Sequence, residues 1–365
     1  MAKIRKIKAR QITDSRGKPT VEVELIADSG KFLASVPSGT SKGKFEAKAK
    51  DAKTAAENIN EIIGPRIIGK SAISQRQIDD FLIKLDGTKN KSRLGANATL
   101  AVSLAVCRAG ARAKKIPLWK WISKIAGTRF RLPITSILLV EGGLHGKGGS
   151  DIQEFMVVSS LSRVKKIYQK LKRYKFKTGL EGGFIVPLKN TEEILNLILE
   201  VAGKEKIKII LDVAASHNFP RKTAAYYLDL IKRYPILGIE DPFPENDWRN
   251  WQRLSSKLLI IGDDLTVTNV EKIKEAHEKK ACNAVIIKPN QIGTVSETIA
   301  AAKLAKSFGW KIMVSHRSGE TMDDFIADLA VGLGANFIKA GAPSKPERMA
   351  KYNRLLKIQK ELCQS

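Results

Sequence analysis

The sequence predicts an α/β protein, with a small N-terminal α+β cap followed by a closed βα barrel, on three observations. The second two-thirds of the chain repeats short apolar runs (IKIILD, ILGIED, LLIIGDD, NAVIIK, KIMVSH, NFIKAG) closed in turn by Asp212, Glu240, Asp263, Lys288, His316 and Lys339. The steps between those residues are 23 to 28 positions, about one strand, one helix and two short loops. Residues 1–128 lack that rhythm and divide instead into an alternating stretch and a helical one. Buried parallel strands read as continuous apolar runs, and in a closed βα barrel their C-terminal ends converge on one mouth. Three carboxylates followed by Lys, His and Lys around such a rim make a metal site facing a cationic site.

In chain order, IRKIKARQI, TVEVELIA and KFLASVP alternate apolar and polar residues, with the turn signals DSRGKP and DSGK between them. They read as an antiparallel meander. From Ala47 the period becomes helical in AKDAKTAAENINEIIG, ISQRQIDDFLIKLDG and ANATLAVSLAVCRAGARAKK. The cap is expected to end at residue 128 and the barrel to occupy 129–365. LPITSILLV opens the barrel and DIQEFMVVSS follows it, with only EGGLHGKGGS between them. That insert is too short for a crossover helix, so the two strands are expected to be antiparallel. Two helices follow (SRVKKIYQKLKRYK, TEEILNLILEVAG), separated by the loop TGLEGGFIVP. Strand and helix then alternate to NRLLKIQKEL, with no internal repeat and no low-complexity linker.

A length of 365 residues suits two domains, because a βα barrel alone takes about 250. Apolar content of 43% is ordinary for a globular chain and argues against disorder. Cys107, Cys282 and Cys363 are odd in number and scattered, which fits a reducing cytoplasm better than a disulfide framework. MAKIRKIKARQ is basic without an apolar stretch behind it, so it reads as neither signal peptide nor anchor. No segment has the roughly 20 apolar residues that span a bilayer, so no membrane insertion is expected. The net charge of +27 is spread along the chain, in stretches such as RVKKIYQKLKRYKFK at 163–177. It reads either as a solvated basic surface or as polyanion contact. RNP-like aromatic motifs, zinc-finger spacing and a helix-turn-helix are missing.

Asp212, Glu240 and Asp263 end three consecutive strands; together they repel one another unless a cation is present, and hard oxygen donors suit Mg²⁺. Singly, each reads as a helix cap or an ion-pair partner. Lys288 and Lys339 end apolar strands, where two desolvated cations lower each other's pKa and make one a usable base, unless each pairs with a carboxylate. VSHRSGET places His316, Arg317 and Ser318 at a strand end before a helix, a combination suited to a phosphate. PSGTSKGKFE at 37–46 lacks the spacing of a phosphate-cradling P-loop and reads as a flexible turn. His145, Glu154 and Glu181 lie in or beside glycine-rich turns (HGKGG, QEF, LEGGF). Two carboxylates can serve as an acid and its partner, although spacing alone does not bring them together.

Taken as motifs, these residues are no longer generic. DSRGKPTVEVEL, VPSGTSKGKFEA, LDGTKNKSRLGANATLAVSLA, IQEFM, LEGGF, LDVAAS, IEDPF, GDDLTVTN, IKPNQIGT, VSHRSGET and IKAGAPSKPERMAKYN occur in that order, and with them the chain resembles the enolase (phosphopyruvate hydratase) family over nearly its whole length. The resemblance implies an α+β cap on an atypical TIM-type (β/α)8 barrel with one antiparallel strand. It implies Mg²⁺-dependent, reversible dehydration of 2-phosphoglycerate to phosphoenolpyruvate in glycolysis and gluconeogenesis, in the cytoplasm, by a homodimer or higher homo-oligomer. Asp212, Glu240 and Asp263 would hold one Mg²⁺, and Ser41 would help bind a second when the cap loop closes. Lys288 would take the α-proton. Glu181 would protonate the departing hydroxyl, with Glu154 beside it and His145 closing over the substrate. Lys339 would face the substrate carboxylate, while His316 leads into the phosphate contacts of Arg317 and Ser318.

Several positions depart from the family pattern. The chain is shorter by tens of residues, and LDVAAS runs almost directly into a helix. Leu180 precedes Glu181 where Asp is expected, Glu141 stands for Asn, Lys42 for a small hydroxyl residue and His217 for Glu. With the +27 charge, these changes define the alternative: a catalytically impaired enolase homologue that binds a polyanion such as RNA.

Overall fold

The alternation at the start of the chain builds a three-stranded antiparallel sheet, β1 (Ile4–Thr13), β2 (Pro19–Ala27) and β3 (Gly30–Ser35), in the order β1-β2-β3. Val21, Val23 and Leu25 all face inward from β2, as a period of two requires. In the computed structural model, which describes residues 2–40, 43–146, 148–217, 222–254 and 258–363, this sheet packs on the helix Ala96–Ala113. That helix is rich in Ala and is buried almost all round, so it forms the spine of the cap. The helical stretch after Ala47 is broken into α, π and α segments across 52–67, with Gly64 and Pro65 at the second junction.

The barrel has eight strands: β4 (Ile134–Glu141), β5 (Glu154–Val158), β8 (Lys208–Asp212), β9 (Ile236–Glu240), β10 (Leu259–Gly262), β11 (Ala284–Ile287), β12 (Lys311–Ser315) and β13 (Phe337–Lys339). It closes through the pairing of β13 with β4. β5 runs antiparallel to both β4 and β8, and the other barrel pairings are parallel. The short glycine-rich insert had predicted the first of these antiparallel pairs. The segment read as the loop TGLEGGFIVP contains a small hairpin, β6 (Lys177–Thr178) and β7 (Phe184–Ile185), docked on β4 at Val140. Two-residue strands are too short to leave an alternation in the sequence.

The cap is fastened to the barrel by buried polar contacts. Asp79 accepts hydrogen bonds from Ser103 Oγ (2.6 Å) and from Ser296 N (2.9 Å) at the start of a barrel helix. Lys91 pairs with Glu297 at 2.7 Å, and Arg108 with Asp323 at 2.8 Å. No helix among the described residues is long and apolar enough to cross a membrane.

Candidate active site

The six charged residues of the ladder all reach one rim. Asp212, Glu240 and Lys339 are the last residues of β8, β9 and β13, while Asp263, Lys288 and His316 directly follow β10, β11 and β12. Asp212 and Glu240 are in register across the β8–β9 pair. All six side chains are buried. The backbone at this rim is unusually strained, with Ala214, Asp241, Val267 and Thr268 at φ between 41 and 55°. Asp241 is held there by its own carboxylate, which accepts the N–H groups of Asp263 (2.9 Å) and Asp264 (2.8 Å).

Each rim lysine is held by carboxylates. Lys339 Nζ lies 2.8 Å from Asp212, 2.9 Å from Glu240 and 3.1 Å from Glu154. Lys288 Nζ donates a short hydrogen bond to Asp263 Oδ2, and Gln291 Nε2 holds the other oxygen at 2.9 Å. The sequence left open whether the lysines depress each other's pKa or each pair with a carboxylate, and both are paired here. Burial, Arg317 and Lys339 do pull Lys288 down, but Asp263 and Glu240 outweigh them and its pKa lies above the usual lysine value. Burial likewise opposes Lys339, and Asp212, Glu154 and Glu240 raise it well above its usual value. Burial, then Asp212, push Glu240 well above the carboxylate range despite Lys339.

A carboxyl whose pKa is pushed up by burial and then by acidic neighbours is one whose ionisation a further cation would favour. Its Oε1 is buried with no hydrogen-bond partner among the described residues. Asp212, Glu240 and Asp263 therefore fit a hard divalent ion: three oxygen donors, one unengaged, on adjacent strand ends. A tighter acidic group also exists, with ligand oxygens of Asp241, Asp263 and Asp264 all within 4.8 Å of one another. Ser41 and Lys42 lie outside the described residues.

A second cluster adjoins Lys339 through Glu154. His145 Nδ1 is 3.3 Å from Glu154 Oε1 and 3.7 Å from Glu181 Oε1, and His316 Nε2 is 2.9 Å from Glu181 Oε2. The spacing left the meeting of these glutamates open; the fold brings them together around His145. Burial works against a charged His145, but Glu181 and Glu154 raise its pKa to about 9. Burial works to raise Glu181, yet His316 and His145 hold it well below the carboxylate range. Burial, with Arg348 adding to it, keeps His316 below its usual value. Both ring nitrogens of His145, His316 Nε2 and Glu181 Oε2 are buried without an aligned hydrogen bond among the described residues. Such atoms are rare in a folded interior, and here they gather at one place.

The side of the mouth that carries Arg317 and Ser318 is covered by the cap. Arg317 is gripped by Glu46 through two hydrogen bonds of 3.0 and 3.1 Å, and Ser318 Oγ accepts from Thr40 N at 2.7 Å. Ser38 and Gly319 exchange backbone hydrogen bonds, each 2.8 Å. A Cβ on Gly39 would lie 1.9 Å from the Arg317 guanidinium, so only glycine allows this approach. The described flanks of the segment read as a flexible turn are thus anchored to the barrel.

Sequence reasoning assigned no role to Glu46, Gln291 or Arg348. Arg348, fully buried, donates to His316 Nδ1 (2.5 Å), Arg317 O (2.6 Å) and Ser318 O (2.6 Å). The helix Pro346–Cys363 buries Arg348, Lys351, Tyr352, Leu355 and Ile358. Two cations on that i, i+3, i+4, i+7 stripe were the signal that could have found it. His217, half-buried, pairs with Asp264 at 3.0 Å.

A capped barrel whose mouth gathers carboxylates, two buried lysines and an adjoining His–Glu cluster defines an acid–base enzyme of the metal-assisted lyase class. The chain belongs to the enolase family. Residues 4–122 match the family's N-terminal domain, and 129–230 with 218–365 match its C-terminal TIM barrel domain. It is 43% identical to Enolase B of Dictyostelium discoideum over 420 aligned residues, covering 98% of this chain and 95% of that protein. It is 40% identical to Enolase 1 of Entamoeba histolytica (98% and 96% covered) and 42% identical to the enolase of Eimeria tenella (99% and 96%). Alignments longer than the chain itself mean that these relatives carry insertions, and the barrel match divides at 218–230, where the sequence lacks the usual excursion.

Proposed function

We propose that this chain is a phosphopyruvate hydratase that dehydrates 2-phosphoglycerate reversibly to phosphoenolpyruvate, with Mg²⁺ as its metal. The observation that carries the reading is the placement of a buried lysine pair and a buried His–Glu cluster at one barrel mouth, with carboxylates between them. Lys288 takes the proton from the carbon next to the substrate carboxylate once its ammonium has given up a proton. Glu181, between His145 and His316, delivers a proton to the departing hydroxyl, and the raised pKa of His145 makes its imidazolium a proton reserve one contact away. Glu154 holds His145 and Lys339 in place. Lys339 faces the substrate carboxylate, and Arg317 and Ser318 receive the phosphate. Asp212, Glu240 and Asp263 would hold one Mg²⁺, and Ser41 would contribute to a second. Bound there, the ions supply positive charge that offsets the second negative charge developing on the substrate carboxylate.

Purified protein given Mg²⁺ and 2-phosphoglycerate should produce the enol absorbance, and EDTA should abolish it. A rate no higher than that of buffer would sink the reading. We also infer a cytoplasmic homo-oligomer, as the resemblance implies, which size-exclusion chromatography with light scattering would test. Nucleic-acid contact through the basic surface is a secondary reading that rests on charge alone.

A further inference from the structure

Behind the acid cluster lies a third buried carboxyl with no part in the scheme above. Glu141, the last residue of β4, is 0% exposed. Its Oε1 accepts the backbone N–H of Gly183 at 2.6 Å and that of Glu181 at 3.0 Å, and its Oε2 lies 3.2 Å from the same Glu181 nitrogen. The turn is shaped to receive it. A Cβ on Gly179 would sit 2.1 Å from Glu141 Oε2, and one on Gly183 would sit 2.9 Å from Glu141 Cγ. Five further bonds hold the turn from the Tyr168 and 342–345 side: Tyr168 Oη (2.7 Å) and Ser344 Oγ (3.3 Å) to Gly182 O, Lys345 Nζ to Gly179 O (3.2 Å) and Leu180 O (3.0 Å), and Ala342 N to Glu181 O (3.1 Å).

We propose that Glu141 is the positioning residue of the acid step: by accepting the Glu181 and Gly183 N–H groups it fixes the 179–183 turn, and so aims the Glu181 carboxyl between His145 and His316. The proposal rests on the reading of Glu181 as the acid. Without the Glu141 side chain, two buried N–H groups lose their acceptor and the backbone that carries Glu181 loses its inner support. A catalytic group displaced by about 1 Å can cost about 100-fold in rate. Lys288 directly follows a different strand, β11, and among the described residues no hydrogen bond or ion pair links it to this turn.

Glu141 is also a charge beside Glu181. Burial, and then Glu181, raise its pKa to about 8, while His145 works the other way. The ionisable groups facing it are Glu181, His145, Glu154 across the β4–β5 register, and Tyr168. Below about pH 8 Glu141 is neutral; above it, a second negative charge raises the proton affinity of Glu181.

The test compares Glu141→Ala, Glu141→Gln and Glu181→Gln by two readouts on 2-phosphoglycerate in D2O. One is net formation of phosphoenolpyruvate across pH; the other is exchange of the α-proton into recovered substrate, which uses Lys288 and not Glu181. Glu141→Ala should lose about 100-fold in dehydration while keeping exchange within about threefold. Glu141→Gln keeps an acceptor oxygen, so it should restore dehydration to within about tenfold of wild type and lose the inflection near pH 8. A parallel fall of both rates in Glu141→Ala, or wild-type dehydration in that variant, overturns the proposal. If Glu141→Ala does not fold, Glu141→Gln decides it: an unchanged inflection near pH 8 overturns it and a lost one supports it. Glu181→Gln separates the two readings. Dehydration surviving in that variant removes Glu181 as the acid, whereas its loss alongside an indifferent Glu141→Ala removes only the role of Glu141.

Discussion

Lys288, the proposed base, is tied into the barrel rim through both its backbone and its side chain. Its backbone N–H is tied to Thr268 Oγ1 at 2.9 Å, and Thr268 in turn donates to Gln291, which holds Asp263. The proposed base is therefore positioned by the same network that positions Asp263, a proposed metal ligand. Lys288→Ala should abolish α-proton exchange and lower turnover by about 10² to 10⁴-fold, because a placed general base contributes about that much. Hydrogen–deuterium exchange at the substrate α-carbon, followed by NMR, reads this directly, and persistent exchange would remove Lys288 as the base. The identity of such residues was legible in the sequence because each one closes an apolar run. Their protonation was not, since it depends on partners such as Asp263 and Glu154 that come from other strands.

At the scale of elements, regular strand–helix alternation located six barrel strands and their rim residues, and a ten-residue glycine-rich insert revealed the antiparallel strand β5. What stayed hidden were contributions from elements that look ordinary. The helix Pro346–Cys363 is in sequence only the last helix of the alternation, yet its Arg348 holds His316 and the carbonyls of Arg317 and Ser318. Donation to Nδ1 leaves the His316 ring proton on Nε2, which faces Glu181. Arg348→Met should destabilise the protein by about 2–5 kcal/mol, since it strands buried acceptors, and should cut turnover by about 100-fold. Lys351→Met is the control. It removes the Glu320 pair and the bond to Thr321 O but leaves His316 alone, so it should destabilise comparably in urea melts and cost much less activity. Equal losses of turnover in the two variants would assign Arg348 a purely structural role.

The molecule as a whole joins a cap and a barrel through a few buried ion pairs, on a surface of high positive charge. Asp323 accepts from Arg108 and from Ser35 N, linking the barrel to both the spine helix and the sheet of the cap. Burial raises its pKa, but Arg108 brings it below the ordinary carboxylate value. Its folded pKa therefore lies below the unfolded value of about 3.9, so the stability it contributes is present above that value and is lost as pH falls through the folded pKa. Asp323→Asn should cost about 3–5 kcal/mol near neutral pH and flatten the acid limb of stability in urea titrations between about pH 5 and 3. An unchanged acid limb would place the sensitivity elsewhere. The net charge of +27 was legible from composition, but where it gathers depends on the fold. Eight cations and no acid occupy 163–177. Lys166, Lys170, Lys172, Arg173, Lys175 and Lys177 are exposed there beside the stacked rings of Tyr174 and Phe176, and Arg163 is the only cation of the segment in an ion pair among the described residues. A single-stranded polyanion laid along such a surface releases counterions, so log affinity for RNA should fall linearly with log salt by about 0.7 per phosphate contacted. The triple change Lys172→Glu, Arg173→Glu and Lys175→Glu should weaken binding and flatten that slope while turnover stays at the wild-type rate. RNA binding with an unaltered slope in that variant would move the contact off this surface, and no binding at low salt would leave the charge as a solvated exterior only.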